Sequence, residues 1–225
     1  MRRFLGDYGL FLKEFGRTFH TTGALLPSSP LLSRALSRYV GVAPAYTEDD
    51  DGPRSGPRRI LEVGPGTGAV TRSIVKRMGQ TDQLELVELN DRFVERLRRG
   101  FENDPLLNTV SDRATVHHKK IQDVEQHDHY DVIVSGLPLN NFSVEDVAAI
   151  LEKFKQLLKK PGGTLSFFEY IAVRPLRSVI AGRAERQRLR DVGRALSDVF
   201  RDFEIRRQSI WTNVPPAWVH HVRFD

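Results

Sequence analysis

Hydrophobic positions along the chain change their period several times, and each change marks an element. Arg59–Val63 (RILEV) is a short apolar run that ends at glycines and predicts a strand. Thr71–Met78 has helical spacing, and Gln83–Leu89 alternates as a strand does. Asp91–Phe101 is an amphipathic helix, with Phe93, Leu97 and Phe101 on one side and arginines on the other. Thr115–Ile121 and Asp131–Ser135 (DVIVS) read as strands, the second buried and closed by Gly-Leu-Pro. Val144–Leu158 places Val147, Ile150, Leu151, Phe154 and Leu158 on one helix face and stops at Pro161-Gly162-Gly163. Thr164–Tyr170 is a further strand.

Strands alternating with helices predict a parallel sheet covered on both faces. The C-terminus breaks the alternation. Phe203–Thr212 and Trp218–Phe224 are two strand-like runs joined by Asn213-Val214-Pro215-Pro216-Ala217, a link short enough to require an antiparallel hairpin at the sheet edge. The expected fold is therefore α/β and Rossmann-like: a seven-stranded, mostly parallel sheet with a C-terminal antiparallel hairpin. This is the arrangement of class I methyltransferases. The Pro/Gly/Asp-rich residues 43–57 predict a linker between an N-terminal helical arm (1–42) and the body (58–225).

Composition narrows the classes. With 225 residues and 40% hydrophobic content, the chain suits one domain with small appendages and excludes wholesale disorder. Zero cysteines exclude a disulfide scaffold, a thiolate metal site and a cysteine nucleophile. No apolar run reaches the ~18 residues of a membrane span. Asp7, Lys13 and Glu14 interrupt any signal-peptide core, which predicts a cytoplasmic protein.

The net charge of +5 is uneven. Residues 1–40 hold six basic and two acidic side chains, and 174–201 hold eight arginines against three acids, so the rest of the chain is negative. Two basic flanks predict a polyanionic surface as partner. Phe4, Leu5, Tyr8, Phe11, Leu12, Phe15 and Phe19 fall within an arc of roughly 120° on a helical projection. That face suits either a membrane interface or packing on the sheet.

The chemistry centres on Glu62-Val63-Gly64-Pro65-Gly66-Thr67-Gly68, between a strand and a helix. Glycines there let the backbone turn tightly and approach a ligand. Glu88 stands twenty residues past Gly68, at the end of the second strand, placed to hydrogen-bond the ribose hydroxyls of an adenosyl ligand. Asp123, past the next strand, is expected to accept from an adenine amino group, with Val124 as a backbone donor. The spacing is not a dehydrogenase G-x-G-x-x-G, and no Gly-Lys-Ser/Thr follows as in a phosphate loop. The pattern E-x-G-x-G-x-G, with acids at successive strand ends, resembles S-adenosylmethionine-dependent methyltransferases. In that superfamily a residue placed as Glu62 is lies near the methionine end of the cofactor.

After the fourth strand comes Ser135-Gly136-Leu137-Pro138-Leu139-Asn140-Asn141-Phe142. Base-methylating enzymes carry Asn/Asp-Pro-Pro-Tyr or Asn-Leu-Pro-Tyr there, to hold and stack an extruded base. Here Ser135 is displaced from the polar position by Gly136, Leu139 occupies the aromatic position, and Phe142 is out of register.

Four pieces resemble bacterial phospholipid N-methyltransferases: the aromatic arm leading to TGALLPSSPLLSRAL, EVGPGTGAVT with VELN, IVSGLPLNNF, and WTNVPPAWVHHVRF. The resemblance implies methyl transfer from S-adenosylmethionine to the amine of phosphatidylethanolamine and its methylated intermediates, or, in a close relative class, of ornithine lipid. It implies cofactor contacts from Glu62, Gly64, Pro65, Gly66, Thr67, Gly68, Glu88, Leu89, Asp123, Val124 and Ser135. Substrate contacts are expected from Ser28, Ser29, Leu137, Asn140 and Arg177. Tyr170, ending the fifth strand, is either a contact to the amine or headgroup or an aromatic plug beneath the loop.

Residues 4–19 and a basic helical insertion at 174–194 are expected to meet an anionic membrane surface at the inner face of the cell membrane. No nucleic-acid partner and a monomer are expected. No metal site is expected either; His117, His118, His127 and His129 read as solvated. The rivals are an rRNA adenine dimethyltransferase and a membrane scaffold with a dead cofactor pocket.

Overall fold

The computed structural model describes residues 28–41, 56–139, 142–171 and 183–224, the side chains at 183–186, 188, 189, 195 and 198 excepted. The arm at 4–19, most of the 43–57 linker, Asn140, Arg177 and the 174–182 part of the basic segment lie outside these residues.

The described strands are β1 (Arg59–Val63), β2 (Gln83–Glu88), β3 (Ala114–His118), β4 (Val132–Ser135), β5 (Thr164–Tyr170), β6 (Glu204–Ile210) and β7 (Ala217–Arg223). They form one sheet in the order β3-β2-β1-β4-β5-β7-β6. The first five run parallel; β7 is antiparallel to both β5 and β6. The expected mostly parallel sheet with a terminal hairpin is borne out. The strand order reverses at β1 and β4, and in open α/β sheets ligands bind beyond the strands' C-terminal ends at such a point.

The described helices are α1 (Pro30–Leu36), α2 (Ala69–Val75), α3 (Asp91–Asn103), α4 (Val144–Leu157) and α5 (Arg183–Phe203). Strand alternation sends Ile60, Leu84, Leu86, Val132 and Val134 to one face, where residues of α1, α2 and α3 cover them. Leu61, Val63, Ile133, Leu165 and Phe167 point to the other face, against α4 and α5. Asn90 caps α3 by accepting from the Arg92 and Phe93 N–H groups, and Ser143 caps α4 by accepting from Asp146 N–H.

Two elements differ from the sequence expectation. Residues 183–194 of the basic segment open a helix that continues to Phe203, and its Val192 and Leu196 are in the core. The arginine-rich polar face hides this packing stripe in the sequence. Strand β3 stops at His118; Ile121–Asp123 is instead a turn of 3-10 helix, with the Ile121 side chain drawn into the core. Among the described residues no helix is long and apolar enough to cross a membrane.

Candidate functional site

The glycine loop is built by close approach. Gly64 has φ +68°, and a Cβ there would lie 2.7 Å from Leu137 Cδ2. A Cβ on Gly136 would lie 2.5 Å from the Gly64 carbonyl oxygen. The two strand ends, after β1 and after β4, therefore touch backbone to backbone, and any side chain would push them apart. Gly64 N–H donates to Val87 O (2.9 Å) and Gly136 N–H to Val63 O (2.8 Å), which ties the loop to β2 and β1.

A cleft open to solvent lies over these ends. It is lined by Gly64 and Gly66 from the loop, Glu88, Leu89, Asn90 and Phe93 around the end of β2, Lys119–Ile121 after β3, and Gly136–Pro138 after β4. The lining is mixed, with apolar walls and convergent polar groups, as in small-molecule sites.

Two buried carboxylates sit at this edge. Glu88 accepts from the Gly66 N–H (3.0 Å) with one oxygen and from the Leu89 and Asn90 N–H groups (both 2.9 Å) with the other. Burial pushes its pKa up; the three N–H groups and His118 oppose the shift. The carboxylate holds the loop against β2, and the oxygen that accepts from Gly66 keeps one further lone pair.

Glu62 is 1% exposed, and neither carboxylate oxygen has a hydrogen-bond partner. Burial pushes its pKa up to about 8; Thr71 stands near enough to soften the shift, and the Glu88 charge adds to it. A buried acid without a partner costs free energy, and a cationic ammonium brought to the loop supplies what it lacks. The buried acid, the glycine-rich loop and Glu88 together fit S-adenosylmethionine.

The other predicted residues divide. Leu89 and Leu137 line the cleft. Pro65, Thr67 and Gly68 complete the loop, with Gly68 N–H donating to Pro65 O (3.0 Å). Ser135 is fully buried opposite Val63, and its Oγ accepts from Leu137 N–H (3.3 Å), so it shapes the turn under the cleft.

Asp123 and Val124 do not line the cleft. Asp123 points to solvent, and Val124 packs in the core with its N–H donated to Ile121 O (3.2 Å). The 3-10 turn consumes the donor that the sequence reading offered to adenine, and Lys119, Lys120 and Ile121 occupy that wall instead. Asn90, Phe93 and the two lysines were missed. Asn90 had a signal, as a helix cap two residues past Glu88. The lysines had none, because their position depends on where β3 ends.

Toward the substrate side, Tyr170 is half-buried, edge-on to Phe168 at 5.1 Å between centroids, and burial pushes its hydroxyl up to about 12. It therefore stays protonated at neutral pH. Ser29 Oγ caps α1 by accepting from Leu32 N–H (3.2 Å), and its N–H donates to Asn213 Oδ1 (3.1 Å) in the β6–β7 link. Ser28 adjoins it, its carbonyl accepting from Ser33 Oγ (3.4 Å). Both serines stand by the hairpin, at the same edge of the sheet but outside the cleft lining.

Three of the described histidines make contacts within the fold. His117 pairs with Glu85 at 2.7 Å, and His118 Nε2 lies 3.0 Å from Leu89 O. His221, buried against Ser166 Oγ at 2.7 Å, is pushed down to about 3 by burial and the Arg38 and Arg206 charges, so it is neutral.

Comparison with known proteins agrees with this geometry. A family model described as "Methyltransferase domain" matches residues 60–163, from β1 to the threshold of β5. Ornithine lipid N-methyltransferase of Singulisphaera acidiphila is 30% identical over 164 residues, 71% of this chain and 76% of that protein. The Burkholderia thailandensis 1,6-didemethyltoxoflavin-N1-methyltransferase, solved with S-adenosylhomocysteine, matches 99% of this chain and 91% of its own with a TM-score of 0.64 at 12% identity. A Bacillus cereus O-methyltransferase in complex with S-adenosylhomocysteine matches 95% of this chain and 90% of its own, with a TM-score of 0.59 at 15% identity. These structural likenesses show the fold. The chain belongs to the class I S-adenosylmethionine-dependent methyltransferases, in the family that holds the ornithine lipid N-methyltransferase.

Proposed function

We propose that the protein is a peripheral membrane enzyme that methylates the amine of phosphatidylethanolamine and its methylated intermediates. The observation that carries this reading is the segment after β4. Leu137 and Pro138 give the cleft an apolar wall, and Phe142, the nearest aromatic side chain in that segment, is 3% exposed within the core. A nucleobase acceptor would need an exposed ring and an amide or acid at this strand end; an amine on a flexible headgroup needs neither.

S-adenosylmethionine, when bound, supplies a methyl group already activated on a sulfonium. The protein's work is then alignment and exclusion of water. Glu62 and Glu88 fix the cofactor's two polar ends at the loop. The apolar wall disfavours a charged ammonium and so favours the neutral amine that carries the lone pair. Tyr170, held as a phenol beyond the cleft lining, would donate a hydrogen bond to the headgroup, while the amine's proton leaves to solvent. The arm at 4–19 and the basic residues around Arg177 would hold the enzyme on an anionic surface, with Asn140 and the Ser28–Ser29 turn near the headgroup.

A second reading, ornithine lipid as substrate, is supported by the Singulisphaera relative. Both are aminolipids, and expression in a host that makes both but methylates neither separates them. Thin-layer analysis of the extracted lipids should show mono- and dimethylated phosphatidylethanolamine and phosphatidylcholine. Methylated ornithine lipid alone would favour the second reading, and an unaltered lipid profile would defeat both.

A further inference from the structure

Large apolar side chains are rarely exposed among the described residues. Among the described residues four are: Trp211 (68% exposed), Val214 (64%), Leu31 (47%) and Ile205 (42%). The first three gather at one place. Trp211 and Val214 are in the β6–β7 link, and Leu31 is in the first turn of α1, which the Ser29 N–H···Asn213 Oδ1 bond (3.1 Å) fastens to that link. Asn213 is itself buried, with its Nδ2 donating to Pro215 O (2.7 Å), so the tip is a built turn.

Charge sets this tip apart. The chain is 28% charged, yet Gln208–Val219 contains no charged residue, nor does Thr21–Ser33. The described end of the second stretch, Ser28–Ser33, meets the first here. Tryptophan, proline, serine, threonine and asparagine around exposed Val and Leu compose a surface suited to the headgroup layer of a bilayer, where amphipathic rings settle. A water-facing loop of this protein would be expected to carry its share of Lys, Arg, Asp and Glu.

The tip also lies where the two basic flanks join the described chain. Residues 1–27, which carry Arg2, Arg3, Lys13 and Arg17, connect at Ser28. The stretch holding Arg174 and Arg177 departs just past Ile171, whose N–H donates to Pro216 O (2.9 Å) in the same link. An uncharged apolar tip with cationic segments attached on either side matches an anionic bilayer: apolar contact at the centre, phosphate attraction around it.

We infer that the β6–β7 tip, with Leu31 beside it, is an interfacial anchor that inserts Trp211 and Val214 among lipid headgroups and sets the C-terminal edge of the sheet against the membrane. For its purpose this rests on the aminolipid reading above; its test does not. The anchor explains how an amine confined to a lipid surface meets a cleft at the same edge, since the tip fixes which side of the molecule faces the bilayer.

The chain has two tryptophans, so Trp218→Phe leaves Trp211 as the sole reporter. Vesicles of phosphatidylcholine with phosphatidylglycerol, which contain no amine substrate, isolate surface binding from catalysis. Trp211 emission should be that of an exposed indole in buffer. It should shift to the blue on these vesicles and be quenched by lipids brominated in the acyl chain. The triple change Leu31→Ser, Trp211→Ser, Val214→Ser should weaken vesicle partitioning about tenfold or more, with cofactor affinity by calorimetry unchanged. If Trp218→Phe does not fold, the difference between wild-type and Trp211→Phe spectra gives the same reading.

Three results overturn the inference: no vesicle binding, binding with unshifted Trp211 emission, or emission already blue in buffer, which would mean that the chain itself covers the tip. Insertion of Trp211 without methylation of any lipid would leave the anchor standing and defeat the aminolipid reading. Lipid methylation with Trp211 still in water would do the reverse.

Discussion

The two halves of the sheet's C-terminal edge are built on opposite principles. Over β1, β2 and β4 the edge is polar and tightly packed: two buried carboxylates, a left-handed glycine loop, and backbones that meet where any Cβ would collide. Across the β6–β7 link it is uncharged, with apolar side chains left in the open. The first half concentrates electrostatic free energy on a small ionic ligand. The second offers only apolar contact, which suits a partner without fixed shape. On the function and anchor proposed above, one edge brings together a site for a soluble cofactor and a surface for the bilayer that holds the acceptor.

Substitutions in the polar half should have the larger effects. Gly136→Val places side-chain carbon against the Gly64 carbonyl and forces apart the ends of β1 and β4. It should abolish detectable cofactor binding and lower the melting temperature by several degrees, as overpacking of ~1–3 kcal/mol does. Glu88→Ala removes an acceptor of three N–H groups and the ribose partner. Its cofactor Kd should rise at least about tenfold, since hydrogen bonds to charged groups are worth ~1.5–3 kcal/mol.

Glu62 gives a test in pH. Its carboxyl is held at about 8 against 4.5 unperturbed, so between these values the cofactor-free native state keeps a proton that the unfolded chain releases. Its contribution to stability is full below about 4.5, declines as pH rises and is gone above about 8. Glu62→Gln should flatten that part of the melting-temperature profile. If the ionised carboxylate receives the cofactor's ammonium, binding near neutral pH releases a proton from the wild type and none from Glu62→Gln. Calorimetry in buffers of different ionisation enthalpy measures this directly.

The smallest effect belongs to the apolar half's polar group. Tyr170→Phe removes a hydroxyl held near pKa 12. It should lower kcat/KM less than about tenfold, the worth of one neutral hydrogen bond, without moving the pH profile. A shifted profile would make Tyr170 the proton acceptor.

The polar half was also the more legible from sequence. Gly64, Gly66 and Glu88 announce themselves because tight turns and strand-end acids restrict residue choice at fixed spacing. The mostly parallel sheet and its terminal hairpin followed from alternation and from the short 213–217 link. Asp123 lies outside the cleft lining because the chain after β3 coils into a 3-10 turn, and which residue then faces the cleft depends on one register step. The core stripe of α5 was hidden because Val192 and Leu196 are few among many arginines. The hairpin tip was written plainly as WTNVPPAW, but its exposure appears only once β7 is seen to pair with β5 and to leave Trp211 outward.

Purified protein given S-adenosylmethionine labelled in the methyl group, together with phosphatidylethanolamine-containing vesicles and ribosomal RNA in one reaction, tests the central claim most directly. The account predicts label in the lipid fraction, on the headgroup amine, and none on RNA. Label on RNA with unlabelled lipid would contradict it.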